Sequence, residues 1–520
     1  MRVVYTFLLT LGVQLAAAQG FFLSSWKPLP VPGAAGLDSF AAGSGGAGKT
    51  AAKESSPAAP SAFGSVVDVT VFPSDTLCRV SPFLFGNNAN QWLGPVVDLP
   101  VLLDEIKRLG PGVIRYPGGN ASNEFFWNGV VPGDAPDTLI MAAGARRERY
   151  FTGKWGLPVD SYYKMLAATG STGIICVNMA YARYGLSADP VAAAAHLAAE
   201  WVRHDRGRTR FWELGNEDYG FWQAGYRVDS ARLGRPALIS GDIYGREARV
   251  FIDSMRAAAV SDIRIGVVLV ETPPGAYTTA VERVWNEGVL RQAGDVCDFY
   301  IVHSYYTPYK RNSSAAEVLR SAVPVTDRMM DYMRSLGDKP VALTEYNIFA
   351  EGSRQQVSYI AGVHAVLVLG EAATRGFGLA CRWDLANAYA QGNDHGLFNK
   401  GDEPGAALWK PRPAYYYLYY MRRCLGDHIV RSTVAGDSSV VVFASAFTGE
   451  SRGLGVVIVN TGTEPHVVRV DAPGFANGYY YSLTGGAPGD GEFSPGVDVR
   501  LGRGAIESPP RSVQYVILQP

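Results

Sequence analysis

The stretch RFWELGNEDYGFWQAGY, residues 210–226, decides how the rest of the chain is read. Phe211, Trp212 and Leu214 form a short apolar run that Gly215, Asn216 and Glu217 break with a turn. Such a run is a buried strand delivering an amide and a carboxylate at its C-terminal end, with the aromatics Tyr219, Phe221, Trp222 and Tyr226 directly behind. In a (β/α)₈ barrel the C-terminal strand ends carry the chemistry. One Asn-Glu pair proves little, because surface loops are full of them. A second carboxylate in the same setting, Glu345 in PVALTEYN (340–347), is what gives Glu217 its weight.

Working outward, strand-like runs at 83–88, 112–116, 173–178, 210–214, 264–268, 298–303, 340–344 and 379–384 alternate with helical patterns, among them 98–109, 190–203, 243–259, 315–336, 353–373 and 412–424. Alternation with crossover helices predicts a parallel α/β arrangement. Eight such units over residues 83–425 predict a closed (β/α)₈ TIM barrel as the catalytic domain. From Asp427 the texture changes to short β-rich runs with Gly, Asn and Asp turns and no helical period, which predicts a C-terminal antiparallel β-sandwich over 426–520. Within 66–82, the period-2 run VVDVTV (66–71) precedes the barrel and is expected to join that β domain.

Residues 1–18 have the make-up of a secretory signal peptide: Arg2, a mostly apolar run from Val3 to Leu15, and small residues at Ala16 to Ala18. Residues 19–65, mostly Ala, Gly, Ser and Pro, read as a low-complexity linker. The expected localisation is secreted, with no membrane partner once the signal is removed. A formal net charge of −1 leaves no basic surplus for nucleic acid. The five cysteines are too scattered for a disulfide framework. Cys176 and Cys381 lie in apolar runs as buried thiols, and a single bridge among the others stays open. The seven histidines show no ligand spacing, so neither a metal site nor a cofactor is expected.

Two carboxylates across a barrel mouth are the equipment of glycoside hydrolysis on a carbohydrate substrate. Glu217 and Glu345 are the catalytic candidates. Arg115, ending the second strand, is placed to pair with the nucleophile, and His303 and Tyr305, ending the sixth, to donate to it. Asn216 is a candidate for a sugar hydroxyl. Trp383 is a candidate floor of the sugar site, and Trp127 and Trp222 candidate stacking platforms, although single tryptophans more often pack. Glu124 and Glu271 also follow strands and are rivals without a motif partner. Asp394 and His395 read as a solvated loop.

The chain resembles the clan A retaining glycoside hydrolases, most closely the family 51 α-L-arabinofuranosidases, with families 39 and 79 as relatives. The resemblance rests on Gly215-Asn216-Glu217 with Gly220, Trp222, Gln223 and Gly225, on Arg115-Tyr116-Pro117-Gly118-Gly119, and on Glu345-Tyr346-Asn347. It spans about residues 66–520 and implies Glu217 as acid/base and Glu345 as nucleophile. Tyr346 stands where the family has Trp. Residues 227–242 form an extra loop, and RWDLANAYAQGNDHG (382–396) has no counterpart in the family 51 pattern. Two other readings compete: a catalytically silent glycan-binding barrel, and a polysaccharide lyase using a Tyr or His base. The carboxylate pair has no role in either.

Overall fold

The structure is a computed structural model that describes residues 64–94, 96–140, 146–147, 150–154, 156–448, 453–475, 477–485, 493–495, 499–501 and 505–520. The expected signal peptide lies outside the described residues, as does all but the end of the expected linker. The described chain divides into two compact units, residues 81–419 and residues 64–80 with 420–520. The division falls inside the last helix, Pro413–Cys424, a few residues before the expected boundary at 425/426.

The first unit is a closed barrel of eight parallel strands. In chain order these are Gly86–Asn88, Val113–Tyr116, Thr172–Val177, Phe211–Leu214, Arg264–Val268, Phe299–Tyr305, Val341–Asn347 and Leu379–Arg382, with the eighth pairing back onto the first. Apart from Gly86–Asn88 and the polar residues that face the mouth, their runs are apolar on both faces because each strand packs inward on the barrel core and outward on helices. Ile114, Ile175, Phe211, Val267, Ile301, Leu343 and Ala380 are all fully buried. Helix ends follow local chemistry. Asp189 caps the helix Pro190–Asp205 with proline in its first turn, and Ser314 with Glu317 forms a reciprocal capping box before Ala315–Leu336. Helices Val159–Thr169 and Trp285–Ala293 fill crossovers that periodicity left unassigned.

Two differences from the sequence reading bear on the site. The sixth and seventh strands run further than expected, so Tyr305 and Glu345 lie within strands, and Glu345 is in register with His303 and Asn347 with Tyr305. The helix expected from 353 starts at Tyr359, where the Ser358 side chain accepts from the Ile360 N–H, leaving 353–358 as loop.

The second unit holds a sheet of ten strands among the described residues. Its pairings are antiparallel with one exception. Strand Val66–Arg79 pairs antiparallel with His428–Ala435 and parallel with His466–Asp471. Val67, Val69 and Val71 alternate into the core beside Leu454, Val456, Ile458 and Val516, the period-2 signature of VVDVTV realised. Cys176, Cys297, Cys381 and Cys424 are buried free thiols, and Cys78 is half-buried. No helix among the described residues is long and apolar enough to cross a membrane.

Candidate active site

Glu217 follows the fourth strand in a turn that only this sequence allows. Gly215 has φ +78°, and a Cβ there would meet Asp218 Oδ2 at 2.0 Å, so glycine is required. Glu217 itself sits at φ 49°, the left-handed region that non-glycine residues rarely occupy. Its carbonyl is tied down by the Gly220 N–H at 2.6 Å. The turn aims the carboxyl at partners on other elements. Trp222 Nε1 donates to Oε2 at 2.6 Å, Gln223 Nε2 donates to the same oxygen at 3.3 Å, and Oε1 shares a hydrogen bond with His303 Nδ1 at 3.0 Å.

Glu345 faces it from the seventh strand. Arg115 Nη1 donates to Oε2 at 3.0 Å and Tyr305 Oη donates to Oε1 at 2.6 Å. Arg115 is fully buried and spends its remaining donors on Glu213 (2.6 Å), Asn88 (3.1 Å) and Asn216 (2.9 Å). Asn216 is held on three sides. Its Oδ1 accepts from Arg115, its backbone oxygen from Asn123 Nδ2 at 2.8 Å, and its N–H reaches Asn123 Oδ1 at 3.3 Å. Its Nδ2 is buried with no partner, a spare donor beside the carboxylates. His303 Nε2 meets Thr344 Oγ1 at 3.1 Å, which fixes the ring between the two acids.

One ligand atom each from Glu217, His303 and Glu345 lie within 4.8 Å of one another. Three such atoms have the spacing of a cation site, but Arg115 already supplies the positive charge on Glu345, and His303 spends both nitrogens on protein partners. Burial raises both carboxyls. Hydrogen bonding and charge from His303, with the Trp222 hydrogen bond and the charge of Arg115, more than offset this and hold Glu217 below its ordinary value. Glu345 ends above its own, from burial and from the charge of Glu217, despite His303 and Arg115.

No family model matches the chain. It is 24% identical to an intracellular exo-α-(1→5)-L-arabinofuranosidase of Acetivibrio thermocellus over 49% of this chain and 50% of that one. It is 22% identical to a probable α-L-arabinofuranosidase C of Aspergillus flavus over 69% of this chain and 75% of that one. A family 51 α-L-arabinofuranosidase of Bifidobacterium longum superposes with a TM-score of 0.65 at 16% identity, covering 87% of this chain and 99% of that one. Its fold is that of the family 51 arabinofuranosidases. The chain spans about half or less of the first curated relatives it matches, with 50%, 44% and 37% of their lengths covered. A family 44 xyloglucanase of Paenibacillus polymyxa matches the same fold at TM-score 0.57 and 12% identity, covering 88% of this chain and 100% of that one, so the fold does not choose the sugar.

On this family 51 fold, Glu217, Glu345, Arg115, His303, Tyr305, Asn216 and Trp222 come together. Trp222 touches the acid directly instead of standing apart as a platform. Trp383 lies over the Pro-Gly-Gly turn, where a Cβ on Gly119 would meet its ring at 2.6 Å. Trp127 does not join them. Its ring stacks on Trp201 at 5.9 Å and its Nε1 donates to Leu197 O at 3.0 Å, so it packs on the helix Pro190–Asp205. Trp127→Ala is therefore expected to cost about 2 kcal/mol of stability and to leave kcat/KM within about twofold, read from denaturant unfolding and initial rates.

Glu124 is buried in the turn Asn120–Glu124, while Glu271 stands near enough to Glu217 for that charge to help burial raise its carboxyl to about 7. The loop of Asp394 and His395 is not a solvated one. Asp394 pairs with Arg412 at 2.7 Å, and the His395 ring packs edge-on to Tyr305 at 5.5 Å. Sequence reading missed Glu213, Asn88, Asn123 and Thr344. One signal was there: a lone charge in each of two apolar strands, Arg115 in GVIRY and Glu213 in FWEL.

Proposed function

We propose that the protein is a retaining glycoside hydrolase, with Glu345 as nucleophile and Glu217 as acid/base, acting on L-arabinofuranosides or closely related glycosides of poly- and oligosaccharides. The observation that carries this is the close approach of the two carboxyls. Retaining pairs stand about 5–5.5 Å apart and inverting pairs about 6.5–9.5 Å, to admit a water, and the facing atoms here are within 4.8 Å. The names of the curated relatives support the substrate class. Export is part of the proposal and rests on the run at 1–18.

In the first step Glu345 attacks the anomeric carbon as Glu217 gives its proton to the glycosidic oxygen, and the bond to the leaving group breaks. In the second, the Glu217 carboxylate takes a proton from water, the resulting hydroxide attacks the anomeric carbon, and Glu345 leaves as a carboxylate. Turnover needs the proton on Glu217, the reverse of the order in the free site; substrate that excludes water penalises the charged form of Glu217 and raises it, while Arg115 keeps its permanent charge against Glu345.

Glu217→Ala is expected to lower kcat/KM on substrates with poor leaving groups by about 10²–10⁴-fold. On a substrate with an activated leaving group, which forms the glycosyl-enzyme without the acid, sodium azide should restore turnover and yield a glycosyl azide. Proton NMR of the wild-type reaction should show the first-formed sugar with its anomeric configuration kept. An inverted product would overturn the retaining mechanism, and indifference of the Glu217→Ala protein to azide would remove the acid/base assignment.

A further inference from the structure

The segment after the eighth strand, which departs from the family 51 pattern, folds back onto the mouth. Trp383 N–H donates to Tyr346 O at 3.1 Å and Leu385 N–H to Asn88 O at 3.0 Å, so Asp384 is held between the seventh and first strands. Leu397 N–H returns to Asp384 O at 3.0 Å, and Arg412 anchors the loop through Asp394. This arrangement buries three polar atoms without partners: Asp384 Oδ1, Asn90 Oδ1 and His395 Nε2. Asn90 Nδ2 donates to the other Asp384 oxygen and to Ala386 O at 3.0 Å, which couples the first two groups. Asp384 and His395 lie beside Tyr305, which supports Glu345, and Asn90 is tied to Asp384. His395 packs on Tyr305, whose hydroxyl donates to Glu345; Asp384, when ionised, is felt at Tyr305, and the charge of Glu345 is felt at Asp384.

Buried polar atoms without partners are rare and need an explanation. Burial, helped by the charge of Asp394, pushes Asp384 up to about 8. Burial pushes His395 down to about 3. Both groups are therefore uncharged near neutral pH, with hydrogen bonds to give and take. The cations of the segment are engaged elsewhere: Arg382 on His395 O at 2.8 Å, Arg412 on Asp394 and Glu403, and Lys400 on Trp92 O.

We propose that Asp384, Asn90 and His395 form a wall of the sugar pocket that hydrogen-bonds the hydroxyls of an uncharged glycone and so determines which sugar is accepted. This rests on the glycoside hydrolase function proposed above. A uronate is disfavoured, because the cations of the segment, which would have to pair with its carboxylate, are already engaged.

The test compares 4-nitrophenyl α-L-arabinofuranoside, β-D-xylopyranoside, β-D-glucopyranoside and β-D-glucuronide on the wild type, Asp384→Ala, Asp384→Asn and His395→Ala. The wild type should prefer an uncharged glycone. Each Ala variant should lose about ten- to a hundredfold in kcat/KM on it, with the gap to the next sugar narrowed, and Asp384→Asn should lose less. A preference for the glucuronide, or an unchanged sugar ranking and ratio in folded Ala variants, would overturn the proposal while the hydrolase function stood. Where an Ala variant fails to fold, deoxy analogues of the preferred glycoside on the wild type decide: a similar loss for one hydroxyl supports the wall, and indifference to every deletion removes it. If the wild type cleaves none of the panel, calorimetric titration of Glu345→Gln with L-arabinose, D-xylose, D-glucose and D-glucuronate follows. Binding of neutral sugars that is lost in Asp384→Ala supports the wall and counts against the hydrolase alone; no binding overturns both.

Discussion

Glu345→Ala is expected to remove turnover almost entirely, by about 10⁴-fold or more in kcat on any glycoside the wild type cleaves. The seventh strand presents this carboxyl at the mouth, and Arg115 and Tyr305 donate to one oxygen each, at 3.0 and 2.6 Å. Such donors keep a carboxylate ionised and oriented for attack. No neighbour can take over: Glu217 is held in its own place by Trp222, Gln223 and His303, and Glu213 is locked on Arg115. The fold should survive, because Arg115 keeps Glu213, Asn88 and Asn216. Circular dichroism should match the wild type while the rate disappears. An activated 2-deoxy-2-fluoro glycoside should trap the wild type as a covalent adduct, mapped to Glu345 by mass spectrometry. An adduct on Glu217 would exchange the two roles, and full activity in the Ala variant would sink the assignment.

Much of this could be read from the residues because barrel strands and carboxylates announce themselves locally. But for Arg115 and Glu213, VIRY, IICV and FWEL are apolar on both faces, as strands covered on both sides are. Gly215-Asn216-Glu217 encodes its turn in the chain itself. What escaped depends on contacts distant in sequence. Glu213 is one charge in a short strand, and its partner Arg115 stands 98 residues away. His303 was expected to serve the nucleophile, yet its Nδ1 is 3.0 Å from Glu217 and 4.0 Å from Glu345, a choice made by strand register. Trp127 had the right composition for a platform, but the helix Pro190–Asp205 claimed its ring. The loop of His395 looked solvated because it is rich in Gly, Asn and Asp, and only its return to Tyr305 shows otherwise.

Arg115 is where the stability of the barrel and the chemistry of the mouth meet, and its removal is expected to have the largest effect on folding. Its guanidinium and the Glu213 carboxylate are both fully inaccessible, 2.6 Å apart. Breaking a buried pair from one side leaves an uncompensated charge and costs about 3–5 kcal/mol. Arg115→Met should therefore lower the urea midpoint of the barrel transition by that equivalent, and Arg115→Met combined with Glu213→Leu should recover much of the loss, because the stranded carboxylate is gone. Arg115→Lys is the sharper test of function. A lysine offers one point charge where the guanidinium serves Glu213, Asn88, Asn216 and Glu345 from a rigid plane. Kept near Glu213 by the stronger attraction, it abandons Glu345 and Asn216. The Lys variant should then fold better than the Met variant yet lose about 10²-fold or more in kcat. If Arg115→Met costs under about 1 kcal/mol, the value of an exposed ion pair, the pair does not hold the barrel together. If Arg115→Lys turns over like the wild type, the guanidinium does not orient the nucleophile.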